Sequence, residues 1–123
     1  MRLLLDTHVV LWLVTAPSRV PASVRGAVVD ADALGVSIAS AWEYGAKRSR
    51  RPEQLPLPFD RLLVELPVEA IALEWSCRRY AEDLPRFHND PFDRMLIAQA
   101  LEGRWTLVTA DRDIQRYPVP TLW

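Results

Sequence analysis

An unbroken apolar run, Leu3-Leu4-Leu5, stands near the start of the chain and ends at the polar pair Asp6-Thr7. So short a run, without alternation, fits a strand covered on both faces, as in a parallel sheet. Val9 to Val14 reads as a first helix, closed before Pro17. Pro21 opens a second helix through about Asp32, with proline in the first turn, where its missing N–H does no harm. Leu34 to Ile38 reads as the second strand. Ser40-Ala41-Trp42-Glu43 has the spacing of a capping box and predicts a third helix from Ser40 to about Ser49. The prolines at 52, 56 and 58 in RRPEQLPLP then predict a stiff, extended connection. A short helix follows at Phe59 to Glu65, a strand at Glu69 to Leu73 and a helix at Glu74 to Asp83. Asp90-Pro91 supplies an N-cap and a helix-starting proline for a helix that runs to Glu102 and stops at Gly103. That helix is apolar around much of its circumference and is expected to be buried. Trp105 to Thr109 predicts a fourth strand, leading into Ala110-Asp111, and a last short strand lies near Val119 to Leu122. Strands that alternate with helices predict an α/β fold with a central, mainly parallel sheet.

The 123 residues suit one domain, 1–123, and half of them are apolar, enough for a core without disulfides. The single cysteine, Cys77, reads as a helix filler and suits a reducing, cytoplasmic setting. The apolar start is interrupted by Asp6 and preceded only by Arg2, so it predicts neither a signal peptide nor a membrane span. Fifteen basic residues against sixteen acidic ones exclude a broad electrostatic footprint for nucleic acid. Any such contact must be local. Lys47, Arg48, Arg50 and Arg51 form the one cluster able to make it, and as a solvated helix end they would equally suit the helix dipole.

The acids carry the candidate chemistry. Asp6 and Asp111 each follow the carboxyl end of a strand, where open α/β sheets place their ligand crevice. Glu43 and Asp93 fall in the first turns of helices that start at the same edge if the crossovers are short and right-handed. Each alone has an ordinary structural use, as a cap or a turn, and Asp90 reads first as a cap. Together in one crevice they would repel, and a hard divalent cation such as magnesium or manganese would relieve that. One cysteine and two distant histidines, His8 and His88, make no zinc site, and neither histidine has an evident partner. No P-loop, dinucleotide fingerprint or nucleophile elbow is present.

MRLLLDTH, SIASAWEYGAK, HNDPFDRMLIAQA and TLVTADRDIQRYP occur in this order from the first residue almost to the last. Together they resemble the PIN-domain toxins of the VapC type, the toxin halves of VapBC toxin–antitoxin pairs. The resemblance implies a three-layer α/β/α domain and a ribonuclease dependent on magnesium or manganese. It implies a catalytic quartet of Asp6, Glu43, Asp93 and Asp111, with Asp6, Asp93 and Asp111 on the metal. Asp90 and Asp113 stand as second-choice ligands, and Thr7 and Thr109 as hydroxyl neighbours that orient a carboxylate or a water. Lys47, Arg48, Arg50, Arg51 and Arg112 are the candidates for RNA phosphates. A cognate VapB-like antitoxin and a homodimer are the implied partners.

Two other readings compete. One is a catalytically inactive binding module of the same fold. The other is a phosphoryl-transfer domain with Asp6 as nucleophile; His8 stands where haloacid-dehalogenase-like enzymes carry a second aspartate. Among the aromatics, Trp42 is expected in the core, with Trp75, Trp105 and Trp123 also packing. Trp12 is open between packing and a groove or base-stacking role.

Overall fold

The computed structural model describes residues 1–123. Five parallel strands lie in the order β3-β2-β1-β4-β5: β1 (Arg2–Leu5), β2 (Ala33–Ser37), β3 (Glu69–Ile71), β4 (Thr106–Val108) and β5 (Thr121–Leu122). The chain winds outward from β1 to β3 on one side and then crosses to β4 on the other, so strand order reverses beside β1. Leu3 aligns with Leu34 and Thr106, and Leu5 with Val36 and Val108.

Side-chain alternation along these strands feeds two cores. Leu3, Leu5, Leu34, Val36 and Val108 point to one face, against α1 (Thr7–Thr15), α2 (Ala22–Asp30), α3 (Ile38–Arg50) and α4 (Phe59–Leu63). Leu4 and Leu107 point to the other, against α5 (Tyr80–Asp83) and the long α6 (Pro91–Gly103). Gly35 belongs to this second face: a Cβ there would come within 2.9 Å of Ile71 Cγ1 and 3.1 Å of the Trp105 ring. Helices on both faces make the three layers expected. No helix is long and apolar enough to cross a membrane.

Most boundaries shift by one or two residues from the sequence reading, and four of the differences have a clear local reason. The third helix starts at Ile38, because Ser37 at the end of β2 is already the cap, its Oγ accepting the Ala39 N–H at 3.0 Å. Ser40 and Glu43 therefore lie inside the helix and form no capping box. β3 stops at Ile71, where the Gln99 side chain takes the carbonyls of Ile71 and Ala72 at 3.1 and 2.9 Å. The segment after it forms a 3₁₀ turn (Trp75–Arg79) and only then α5, rather than one helix. Gly103 is the last residue of α6, and Arg104 takes the left-handed conformation at φ 56°. The Trp105 indole occupies the place a Cβ on residue 103 would need, which accounts for the glycine inside the helix.

The aromatics also sort differently. Trp105 is buried, but Trp42 and Trp75 are 71% and 79% exposed and take no part in the core. Trp42, in the second turn of α3, lines an apolar surface hollow with Ile38, Leu73, Phe92 and Met95 instead of entering the core. Cys77 is buried, as expected of a filler.

Candidate active site

The reversal of strand order beside β1 opens a crevice at the carboxyl edge of the sheet. A pocket of about 240 Å³ there is lined by Asp6, Glu43, Asp90, Asp93 and Asp111, together with Thr7, His8, Tyr44 and Lys47. The four acids from four separate segments thus share one cavity, and Asp90 joins them.

Asp6 is the N-cap of α1. Its Oδ1 accepts the Thr7 N–H at 2.7 Å, and its Oδ2 accepts the Thr109 hydroxyl at 2.7 Å. Thr109 Oγ1 in turn accepts the Asp111 N–H at 3.0 Å, so one hydroxyl couples the ends of β1 and β4. Asp111 Oδ1 accepts the Asp113 N–H at 2.8 Å, which closes the turn into a 3₁₀ segment (Ile114–Arg116). Asp90 caps α6, its Oδ1 accepting from Phe92 and Asp93 at 2.9 and 3.2 Å. Asp93 Oδ2 meets His88 Nε2 at 2.9 Å. Asp90, Asp93 and Asp111 each commit one carboxylate oxygen to the scaffold and keep the other without a protein hydrogen bond. Glu43 sits one turn before Lys47 on α3, with 3.6 Å between their charged atoms.

Burial dominates the electrostatics. It raises Asp6 above the ordinary carboxylate range, opposed by His8, Thr109 and Thr7 and assisted by Asp111. Burial also raises Asp93, to about 7; the bond from His88 opposes this, and the charges of Asp90, Asp6 and Glu43 add to it. Neighbouring carboxylate charges thus act with burial on Asp6 and Asp93, and nearby Lys47 is largely exposed.

Both histidines have partners that the sequence did not disclose. His8 lines the pocket, its Nδ1 3.4 Å from Asp6 Oδ2, while its Nε2 accepts the Ala110 N–H at 3.0 Å. An accepting Nε2 places the ring proton on Nδ1, facing Asp6. The His8 ring packs on Trp12 at 4.8 Å, and Trp123 and Arg19 cover Trp12 further out. His88 bridges Asp93 and Tyr117. Burial pulls its pKa down, but the bonds to Asp93 and Tyr117 outweigh burial and leave it raised. His88 is in an irregular segment and Tyr117 is distant in sequence, so no periodicity could pair them.

The other expected residues fall outside the pocket. Asp113 and Arg112 are exposed, and Asp113 faces Arg116 at 3.8 Å. Lys47, Arg50 and Arg51, with Gln54, line a shallow groove that shares Lys47 and Leu55 with the acidic pocket. Arg48 turns aside and donates to the carbonyls of Leu55 and Pro56 at 3.0 and 3.2 Å. A larger hollow beside α6, of about 440 Å³, is walled mainly by Leu73, Trp75, Cys77, Met95 and Ala98 and holds none of the clustered acids.

The PIN-domain family model matches residues 3–120. Ribonuclease VapC22 of Mycobacterium tuberculosis is 35% identical over 126 aligned residues, covering 98% of this chain and 97% of the relative. Among solved structures, VapBC2 from Rickettsia felis bound to a DNA fragment from its promoter superimposes with a TM-score of 0.74 at 19% identity, covering 99% and 98% of the two chains. DNA-bound VapBC from Salmonella typhimurium gives 0.70 at 17% identity, covering 99% and 97%. At these identities the structural matches bear on the fold.

Proposed function

The chain belongs to the PIN-domain family, alongside the VapC ribonucleases, and from that membership we propose that it is a cytoplasmic, magnesium-dependent endoribonuclease acting as the toxin of a toxin–antitoxin pair. The observation that carries the proposal is the gathering of five carboxylates in one pocket at the switch point of the sheet. Its substrate is RNA, its cognate partner a VapB-like antitoxin, and it pairs with a second copy of itself.

The donor set fits a hard divalent cation. All five side chains offer oxygen, and the ligand atoms of Glu43, Asp90 and Asp93 lie within 4.8 Å of one another. That is close to the roughly 4 Å across an octahedral magnesium shell. Burial, with the charges of Asp90, Asp6 and Glu43 adding to it, disfavours the ionised form of Asp93, and a bound cation would favour that form. Asp93 would hold the ion with Asp6 and Asp111, which line the same pocket, and the closeness of Glu43 and Asp90 to Asp93 makes them candidate ligands as well. Magnesium, or manganese in its place, supplies Lewis acidity that lowers the pKa of a water and offsets charge on the scissile phosphate.

The protein's own groups do the rest. Thr7 and Thr109 fix Asp6 through both of its oxygens. Glu43 is placed to take the proton of the attacking water at its carboxylate. Lys47, Arg50 and Arg51 offer positive charge along the groove that leaves the pocket, suited to the phosphates of a single-stranded segment.

The test uses purified, antitoxin-free protein and an RNA substrate. Cleavage is expected with magnesium and none with EDTA. Asp6→Asn and Asp93→Asn should each lower the rate at least about 100-fold while far-UV circular dichroism stays unchanged. Full activity in both variants, in preparations free of contaminating nuclease, removes the proposal.

A further inference from the structure

We infer that His88 is the positioning residue for Asp93, its tautomer set by Tyr117, so that the protein holds one oxygen of Asp93 and leaves the other for a cation. The inference deepens the nuclease reading and rests on Asp93 being a cation ligand.

The geometry fixes where the protons sit. His88 Nε2 is 2.9 Å from Asp93 Oδ2, and Nδ1 is 2.8 Å from the Tyr117 hydroxyl. That hydroxyl oxygen already faces two donors, the His88 backbone N–H and an Arg94 guanidinium nitrogen, both at 3.3 Å. Its one proton then has two possible acceptors, His88 Nδ1 at 2.8 Å and the His88 carbonyl at 3.4 Å, and the shorter contact wins. A ring that accepts at Nδ1 carries its proton on Nε2, aimed at Asp93.

The anchor behind this bond is stiff. Tyr117 is buried and packs edge-on against Phe87, with ring centroids 5.0 Å apart. Buried Arg94, next to Asp93 on α6, also grips the carbonyls of Ala81, Leu84 and Pro85. The irregular segment that carries His88 is thereby tied to the helix that carries Asp93. Without the His88 bond, repulsion from Glu43 and Asp90 would be free to turn the Asp93 carboxylate out of the pocket. Groups that orient a ligating carboxylate commonly govern metal affinity without touching the metal.

A bond that merely staples the loop to α6 would affect melting alone, so two other readouts decide. Nitrogen-15 NMR of the protein in EDTA, at a pH above the titration of both His88 and Asp93, is expected to show a neutral His88 ring with its proton on Nε2, and mixed tautomers in Tyr117→Phe. Manganese titration, followed by electron paramagnetic resonance, is expected to show affinity reduced about 10- to 100-fold in His88→Ala. His88→Gln should recover most of the loss, because its amide N–H reaches about where Nε2 does. Should His88→Ala fail to fold, Tyr117→Phe, which keeps the ring, is expected to lose manganese affinity several-fold. A proton found on Nδ1 overturns the inference. So does manganese affinity unchanged in the folded His88 and Tyr117 variants while Asp93→Asn has lost it. If Asp93→Asn binds manganese like the parent, the metal role of Asp93 falls and this inference with it.

Discussion

At the scale of single residues, the acids are held in place against their own repulsion, and that leaves a signature in stability. Asp93 titrates at about 7 in the folded, ion-free protein against an ordinary 3.8. Between roughly pH 4 and 7 the folded state therefore keeps a proton that the unfolded chain has lost, and stability falls as pH rises through that window. Asp6 is raised as well and adds a slope of the same sign. Asp93→Asn should accordingly melt later than the parent at pH 8, by about 1 kcal/mol or more, and the gain should vanish near pH 4. Thermal melts in EDTA at the two pH values check this. Backbone strain offers a second case. Arg104 holds a left-handed conformation that a side chain resists, so Arg104→Gly is expected to stabilise by about 1 kcal/mol in urea unfolding. Glu43 stood out in the sequence through a capping box that does not form, whereas Asp6, Asp93 and Asp111 could be picked out because each follows a strand or opens a helix. His8, His88 and Tyr117 could not, because their contacts span irregular segments and join residues up to 102 positions apart.

At the scale of elements, α3 carries two tasks on opposite ends. Its first turns bring Glu43 into the pocket, and its last turn and C-cap present Lys47, Arg50 and Arg51 along the adjoining groove. Replacing all three cations by alanine should reduce the salt slope of RNA binding by about 2, at roughly 0.7 per phosphate contact on a single strand. Fluorescence anisotropy across a salt series, in calcium to suppress cleavage, measures it. Arg48→Ala should instead leave the slope in place and lower the melting temperature, since its guanidinium serves the carbonyls of the proline-rich connection. The sequence showed these four cations as one cluster; only the direction each side chain takes separates them. The same limit explains the misplaced cap. Ser37 and Ser40 are both good capping residues, and the choice fell to the point where β2 leaves the sheet.

At the scale of the whole molecule, alternation of strands and helices was enough to foresee a parallel sheet covered on both faces. The order of strands was not foreseeable from pattern alone, because it depends on which edge of β1 receives β4. That choice creates the pocket. A cation bound there should stabilise the fold as a ligand of the native state, by about 2.7 kcal/mol at 100 times its dissociation constant. Differential scanning fluorimetry should show the shift with magnesium chloride and not with sodium chloride of equal ionic strength, and Asp93→Asn should lose most of it. The Thr109 hydroxyl also has a consequence for biosynthesis. It joins Asp6, near the start of the chain, to the Asp111 turn near its end, across 103 positions. A nascent chain still short of β4 pairs β1 with β2 alone and lacks Thr109 and Asp111, so the pocket cannot assemble. No competent nuclease can thus stand beside the ribosome and its message until more than a hundred residues after Asp6 have been made.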